Sequence, residues 1–138
     1  MVYIGAEEMI TPLGVGAETN FYEMFNGHSG IALMPEAGFS RKDVYLAKIK
    51  GLAPLKAFES LIFEVLESFL AKNDSEIITN PRTLLLLSST KGALFDDITD
   101  PFGILLSDLS QRFNLANTPI VISNACISGV LAINAAGN

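Results

Sequence analysis

The chain has 138 residues, enough for one domain with one hydrophobic core. Its net charge of -6 and pI near 4.6 exclude the clustered basic surface that nucleic acid or anionic lipid requires. Hydrophobic residues make up 49% and charged ones 17%, with a mean hydropathy of +0.39. Yet no apolar run approaches the roughly 18 residues of a membrane span, so the excess points to apolar area covered by another chain or by more of the same one. A single Cys and a single His exclude an intramolecular disulfide and argue against a zinc site. Met1-Val2-Tyr3-Ile4 lacks a basic region and a cleavage site, so no signal peptide is read there and the cytoplasm is the expected compartment.

In chain order, residues 2 to 10 read as a strand ending at the Thr11-Pro12-Leu13-Gly14 turn. A short helix over 18 to 25 carries Phe21, Met24 and Phe25 on one face, and Gly27 and Gly30 close it. Residues 31 to 45 read as irregular. Residues 46 to 50 alternate apolar and charged side chains, as a strand with one wet face does. The strongest helical pattern covers 55 to 72, where Leu55, Phe58, Leu61, Ile62, Val65, Leu66 and Phe69 make the apolar stripe and Glu59, Glu64, Glu67 and Lys72 face away. Asn73-Asp74 ends it. Residues 83 to 88 read as a strand buried on both faces, and Ser89-Thr90-Lys91-Gly92 as a loop. A second amphipathic helix is expected over 101 to 113, a last strand over 119 to 122, and a small apolar helix over 126 to 136. Strands alternating with helices predict an α/β fold, a single domain over 1 to 138 whose mostly parallel sheet is flanked by helices. Ligands in such sheets bind beyond the carboxyl ends of the strands, where Cys126 falls.

Cys126 is the candidate nucleophile. An apolar strand, Pro119 to Ile122, runs through Ser123-Asn124-Ala125 into a helix of small residues, with the thiol at the corner. A helix start offers free N–H groups and partial positive charge, which favour a thiolate. Ala125, Ser128 and Gly129 supply the low bulk that a tight strand–nucleophile–helix turn needs. The Cys126 N–H is also a candidate oxyanion donor. The plainer reading is a small buried hydrophobe, with Ser123, Asn124 and Ser128 as helix caps.

Ala125-Cys126-Ile127-Ser128-Gly129 resembles the active-site segment of the β-ketoacyl-acyl-carrier-protein synthases, in which a strand ends in Ala-Cys followed by a small residue, Ser or Thr, and Gly. Met9-Ile10-Thr11-Pro12-Leu13-Gly14 is similar to that family's Val-Val-Ser-Pro-Leu-Gly turn. Residues 21 to 31 are similar to its next helix and Lys-Ser-Gly-Ile turn. The resemblance spans the whole chain. It implies a thiolase-like half-fold that stops before the second α/β half. It further implies that Cys126 takes an acyl group from an acyl carrier protein as a thioester, and that a decarboxylating malonyl thioester then supplies the carbanion for carbon–carbon bond formation. No metal or other cofactor is implied. The implied partners are the carrier protein with its acyl and malonyl thioesters, the missing C-terminal half, and a second subunit in a homodimer or heterodimer. Two further catalytic residues, usually His, belong to the second half. His28 matches neither and reads as a surface residue, so these 138 residues alone are not expected to turn over.

The chain departs from the family at Ala6-Glu7-Glu8, where the first strand should be Gly-rich; an exposed strand end accommodates that. Ile127 replaces a smaller residue beside the nucleophile, either narrowing an acyl pocket or packing. Lys91 stands where the family is mostly Gly and reads as a solvated charge. Two other readings stay open: a non-catalytic partner subunit that helps set chain length, and a module that uses apolar surface to dimerise. A neighbouring thiolase branch is a further possibility.

Overall fold

The computed structural model describes residues 3–51, 57–92 and 99–137, and its chain divides into two compact units. One comprises Gly5–Ala53, the other Met1–Ile4 with Pro54–Asn138. Together they give a mixed α/β chain whose sheets, among the described residues, are three strand pairs. Two pairs are antiparallel and one is parallel, so the expected parallel layer is met at that one pair.

In the Gly5–Ala53 unit, β1 (Ile10–Thr11) pairs antiparallel with β2 (Gly14–Val15). The strand expected over residues 2 to 10 is therefore corrected to its last residue and Thr11; residues 3 to 9 form no ladder. The turn between β1 and β2 is tight because Gly14 adopts φ 145°, and a Cβ there would sit 2.9 Å from Thr19 Cγ2. The helix α1 (Ala17–Phe25) follows, with Asn26 and Gly27 bonded back to its last carbonyls. The reading of residues 31 to 45 as irregular is overturned. β3 (Ile31–Met34) and β4 (Val44–Ala47) form an antiparallel hairpin with Ile31 opposite Ala47 and Met34 opposite Val44. A 3₁₀ turn at Phe39–Arg41 lies in the connecting loop, which the Gly38 N–H to Lys42 carbonyl bond (2.8 Å) and the Glu36 N–H to Asp43 carboxylate bond (3.0 Å) close. Ile31 to Met34 is too short and too uniformly apolar to show a period of two, so the pairing partner decides its structure.

In the other unit, α2 (Ala57–Lys72) is the longest helix; the expected start at Leu55 lies outside the described residues. Glu59, assigned by periodicity to the wet face, is buried. Asn73 ends the helix, its amide donating to the Phe69 carbonyl at 2.8 Å. A 3₁₀ turn, Ser75–Thr79, is started by the Asp74 carboxylate accepting from the Glu76 N–H, and it buries Ile78. α3 (Gly103–Arg112) starts two residues later than expected, after a turn at Pro101 and Phe102 in which the Asp100 carboxylate accepts from the Gly103 N–H at 2.9 Å. Leu105 and Leu109 of α3 are 1% and 0% exposed and form the centre of this unit's core. Arg112 bonds Glu67 of α2 at 3.0 and 2.5 Å and lies 4.9 Å over the Phe63 ring. That pair is half-exposed, so it fixes orientation more than it stabilises.

β5 (Leu86–Ser88) and β6 (Ile120–Ile122) form the parallel pair, with Leu86 opposite Ile120 and Ser88 opposite Ile122. Asn117 sets this register: its side-chain amide donates to the Pro81 and Thr83 carbonyls at 2.9 and 2.8 Å, tying together the two segments that lead into the strands. The strand expected to be buried on both faces is half-buried instead, and Leu84 is exposed. Two strands with α4 (Ser128–Ala136) packed on them do not enclose both faces.

Candidate functional site

β5 and β6 run in the same direction, so both release their chains at one end of the pair. From β5 leaves Ser89-Thr90-Lys91-Gly92, in which the Ser89 hydroxyl accepts from the Gly92 N–H at 3.2 Å. From β6 leaves Ser123-Asn124-Ala125-Cys126-Ile127, which leads into α4. Cys126 is therefore at the carboxyl end of a parallel strand, where the sequence put it, and its side chain is exposed. The reading of Cys126 as a buried small hydrophobe does not hold.

The helix begins at Ser128, not at Cys126 as expected, and Ile127 is its N-cap residue. The difference comes from Ala125. It has φ 44°, a left-handed conformation that costs an L-residue with a Cβ about 1–2 kcal/mol. That reversal breaks the path from strand to helix and leaves Cys126 at the corner. The turn closes through the Ile127 N–H to the Asn124 carbonyl (3.2 Å) and the Ser128 N–H to the Ala125 carbonyl (3.3 Å).

Ser128 holds the corner together. Its hydroxyl oxygen accepts from the Asn124 N–H at 2.7 Å, and its O–H donates to the Ala125 carbonyl at 2.8 Å. At 3% exposure it is among the most buried polar residues described. The plainer sequence reading makes it a helix cap, but no side-chain hydrogen bond caps α4; Ser128 staples the strand-side backbone of the turn instead. The small residue at 129 faces β5, where a Cβ would meet only Ser88 Oγ at 4.0 Å. The arrangement can present a thiol to a reagent on a turn whose backbone is fixed before the reagent arrives.

The other singled-out residues fall elsewhere. His28 is exposed, with Nδ1 2.5 Å from the Glu23 carboxylate. Lys91 is exposed, on the loop after β5. Glu7 is exposed and Glu8 half-buried, with a Glu8 oxygen accepting from the Met9 N–H. Ile127, beside Cys126, is 52% exposed. Among the described residues no three His, Cys, Asp or Glu side chains gather in a way that holds a metal ion, and no helix is long and apolar enough to cross a membrane. Comparison with protein-family models, with curated proteins and with solved structures found no match to this chain.

Proposed function

We propose that this chain is the N-terminal half of a condensing acyltransferase of the β-ketoacyl synthase type, with Cys126 as the acyl-accepting nucleophile. The observation that supports this reading most is the exposed Cys126 on a turn strained at Ala125 and stapled by Ser128, at the carboxyl end of the β5–β6 pair. Strained backbone is retained where the surrounding structure over-determines it, and such positions cluster at functional sites. The resemblance of residues 125 to 129 and 9 to 14 to the synthase motifs supplies the reaction class. In that reaction the Cys126 thiol gives its proton to solvent, the thiolate attacks the carbonyl of an acyl thioester, and the carrier leaves as a thiolate that takes a proton from solvent. A malonyl thioester then loses carbon dioxide, and its carbanion attacks the acyl carbonyl and returns the thiolate to Cys126. The decarboxylating step needs groups outside these residues, so this chain is assigned the acyl-accepting half-reaction.

The test is intact-mass analysis of the chain incubated with an acyl thioester mimic, followed by peptide mapping. The expected result is one acyl adduct on Cys126, absent in Cys126→Ala. Adducts spread over lysines, or none at Cys126, would sink the assignment.

A further inference from the structure

The Gly5–Ala53 unit holds an open cavity of about 510 Å³, of the size that small molecules occupy. Its floor is one face of the β3–β4 hairpin, where Ala32, Met34 and Leu46 meet, with Ala32 directly opposite Leu46. Pro12 forms a wall and packs closely on Gly30, where a Cβ would come within 3.0 Å of the proline Cβ. Lys48 and Lys50 follow Leu46 at two-residue steps along another wall. In a chain with 15 carboxylates against 9 Lys and Arg, this cavity is lined by two ammonium groups and no carboxylate. Among the described residues neither has a carboxylate within ion-pairing distance. Ser29 adds a polar group at the same cavity; its oxygen accepts from the Ile31 N–H at 3.1 Å.

An apolar floor and two unpaired cations are matched by one kind of ligand, an anion with an apolar body. We propose that this cavity binds a small amphipathic carboxylate, its apolar part on Ala32, Met34 and Leu46 and its carboxylate between Lys48 and Lys50. A carboxylate is favoured over a phosphate because one charge loses less hydration than the nearly two charges of a phosphate on entering a lining whose side chains are mostly apolar. A thioether on the floor suits a ring as well as a chain. The proposal is independent of the reading of Cys126, which belongs to the other unit.

The probes are 4-phenylbutyrate, its neutral alcohol 4-phenyl-1-butanol, and inorganic phosphate, each titrated into the full chain and followed by amide chemical shifts. Phenylbutyrate should saturate with Kd at or below about 1 mM and move the amides of Ala32, Met34 and Leu46. The alcohol should bind about tenfold more weakly, and phosphate should leave those amides in place. Substituting Lys48→Ala together with Lys50→Ala, both on the surface, should weaken phenylbutyrate about tenfold without changing the alcohol. Equal binding of acid and alcohol, equal shifts with phosphate, or no saturation by phenylbutyrate would each overturn the proposal. A second variant, Ala32→Leu, fills the floor and should block acid and alcohol alike; unchanged binding there would place the ligand elsewhere and overturn it too.

Discussion

Among the described residues, a short strand twice passes into a helix through a turn held by one buried polar side chain. At the first turn, Asn20 of α1 is 2% exposed and reaches back to the Gly14 and Gly16 carbonyls at 3.0 and 2.8 Å and to the Thr11 hydroxyl. At the second, Ser128 of α4 does the same for Asn124 and Ala125. The two differ in what adopts the unusual backbone. The first uses Gly14 and Gly16, at φ 145° and 99°, where a glycine reaches positive φ without strain. The second puts Ala125 at φ 44° and exposes a thiol at the next residue. Left-handed non-glycine backbone also occurs at Glu36, Ser40, Arg41 and Asn114, so what sets the second turn apart is the thiol next to the strained residue. The second accepts local strain, and the strain sits beside the one nucleophilic sulfur in the sequence.

Substitutions sharpen this contrast. Asn20→Ala leaves two carbonyls without their donor and should cost about 2–4 kcal/mol, read as a fall in the thermal or denaturant midpoint. Gly14→Ala should cost about 1–3 kcal/mol, since it adds backbone strain and a clash with the Thr19 methyl. Ser128→Ala should cost about 1–2 kcal/mol and also slow acylation of Cys126, whereas Ser128→Thr, which keeps the hydroxyl, should recover the rate. Ala125→Gly should have the smallest effect on stability, a gain within about 1 kcal/mol, while lowering the reactivity of Cys126 as the turn loosens. If Ala125→Gly destabilises as much as Gly14→Ala does, the contrast between the turns disappears.

Much of this was legible in the sequence, for reasons specific to each segment. The helices α1, α2 and α3 announce themselves because their apolar residues recur at three- and four-residue steps. The β6–turn–α4 corner was placed correctly because an apolar run stops at Ser123 and small residues begin at Ala125. The β3–β4 hairpin was not legible. Its pairing is non-local, and Ile31 to Met34 carries no alternation to mark a face. The burial of Glu59 was hidden for a related reason: periodicity gives a face, and the neighbours that cover it come from elsewhere in the chain. At the site, Cys126 was visible as a residue, but its geometry was not. Nothing in Ala125 signals a left-handed backbone, and a serine at a helix start reads as a cap although Ser128 staples the turn instead. The Lys48 and Lys50 wall did leave a trace, the alternation after Leu46, but the apolar floor opposite became apparent only with β3 in place.

The central claim is that the turn presents Cys126 as a nucleophile. Its most direct measurement is the second-order rate of acylation of Cys126 by a small thioester in the folded chain, set against the same chain unfolded in urea and against a free cysteine derivative at the same pH. A presented and oriented thiol should react at least about tenfold faster when folded than when unfolded. Equal rates, or a slower reaction in the folded chain, would mean that the turn is only structure and that Cys126 is not its purpose.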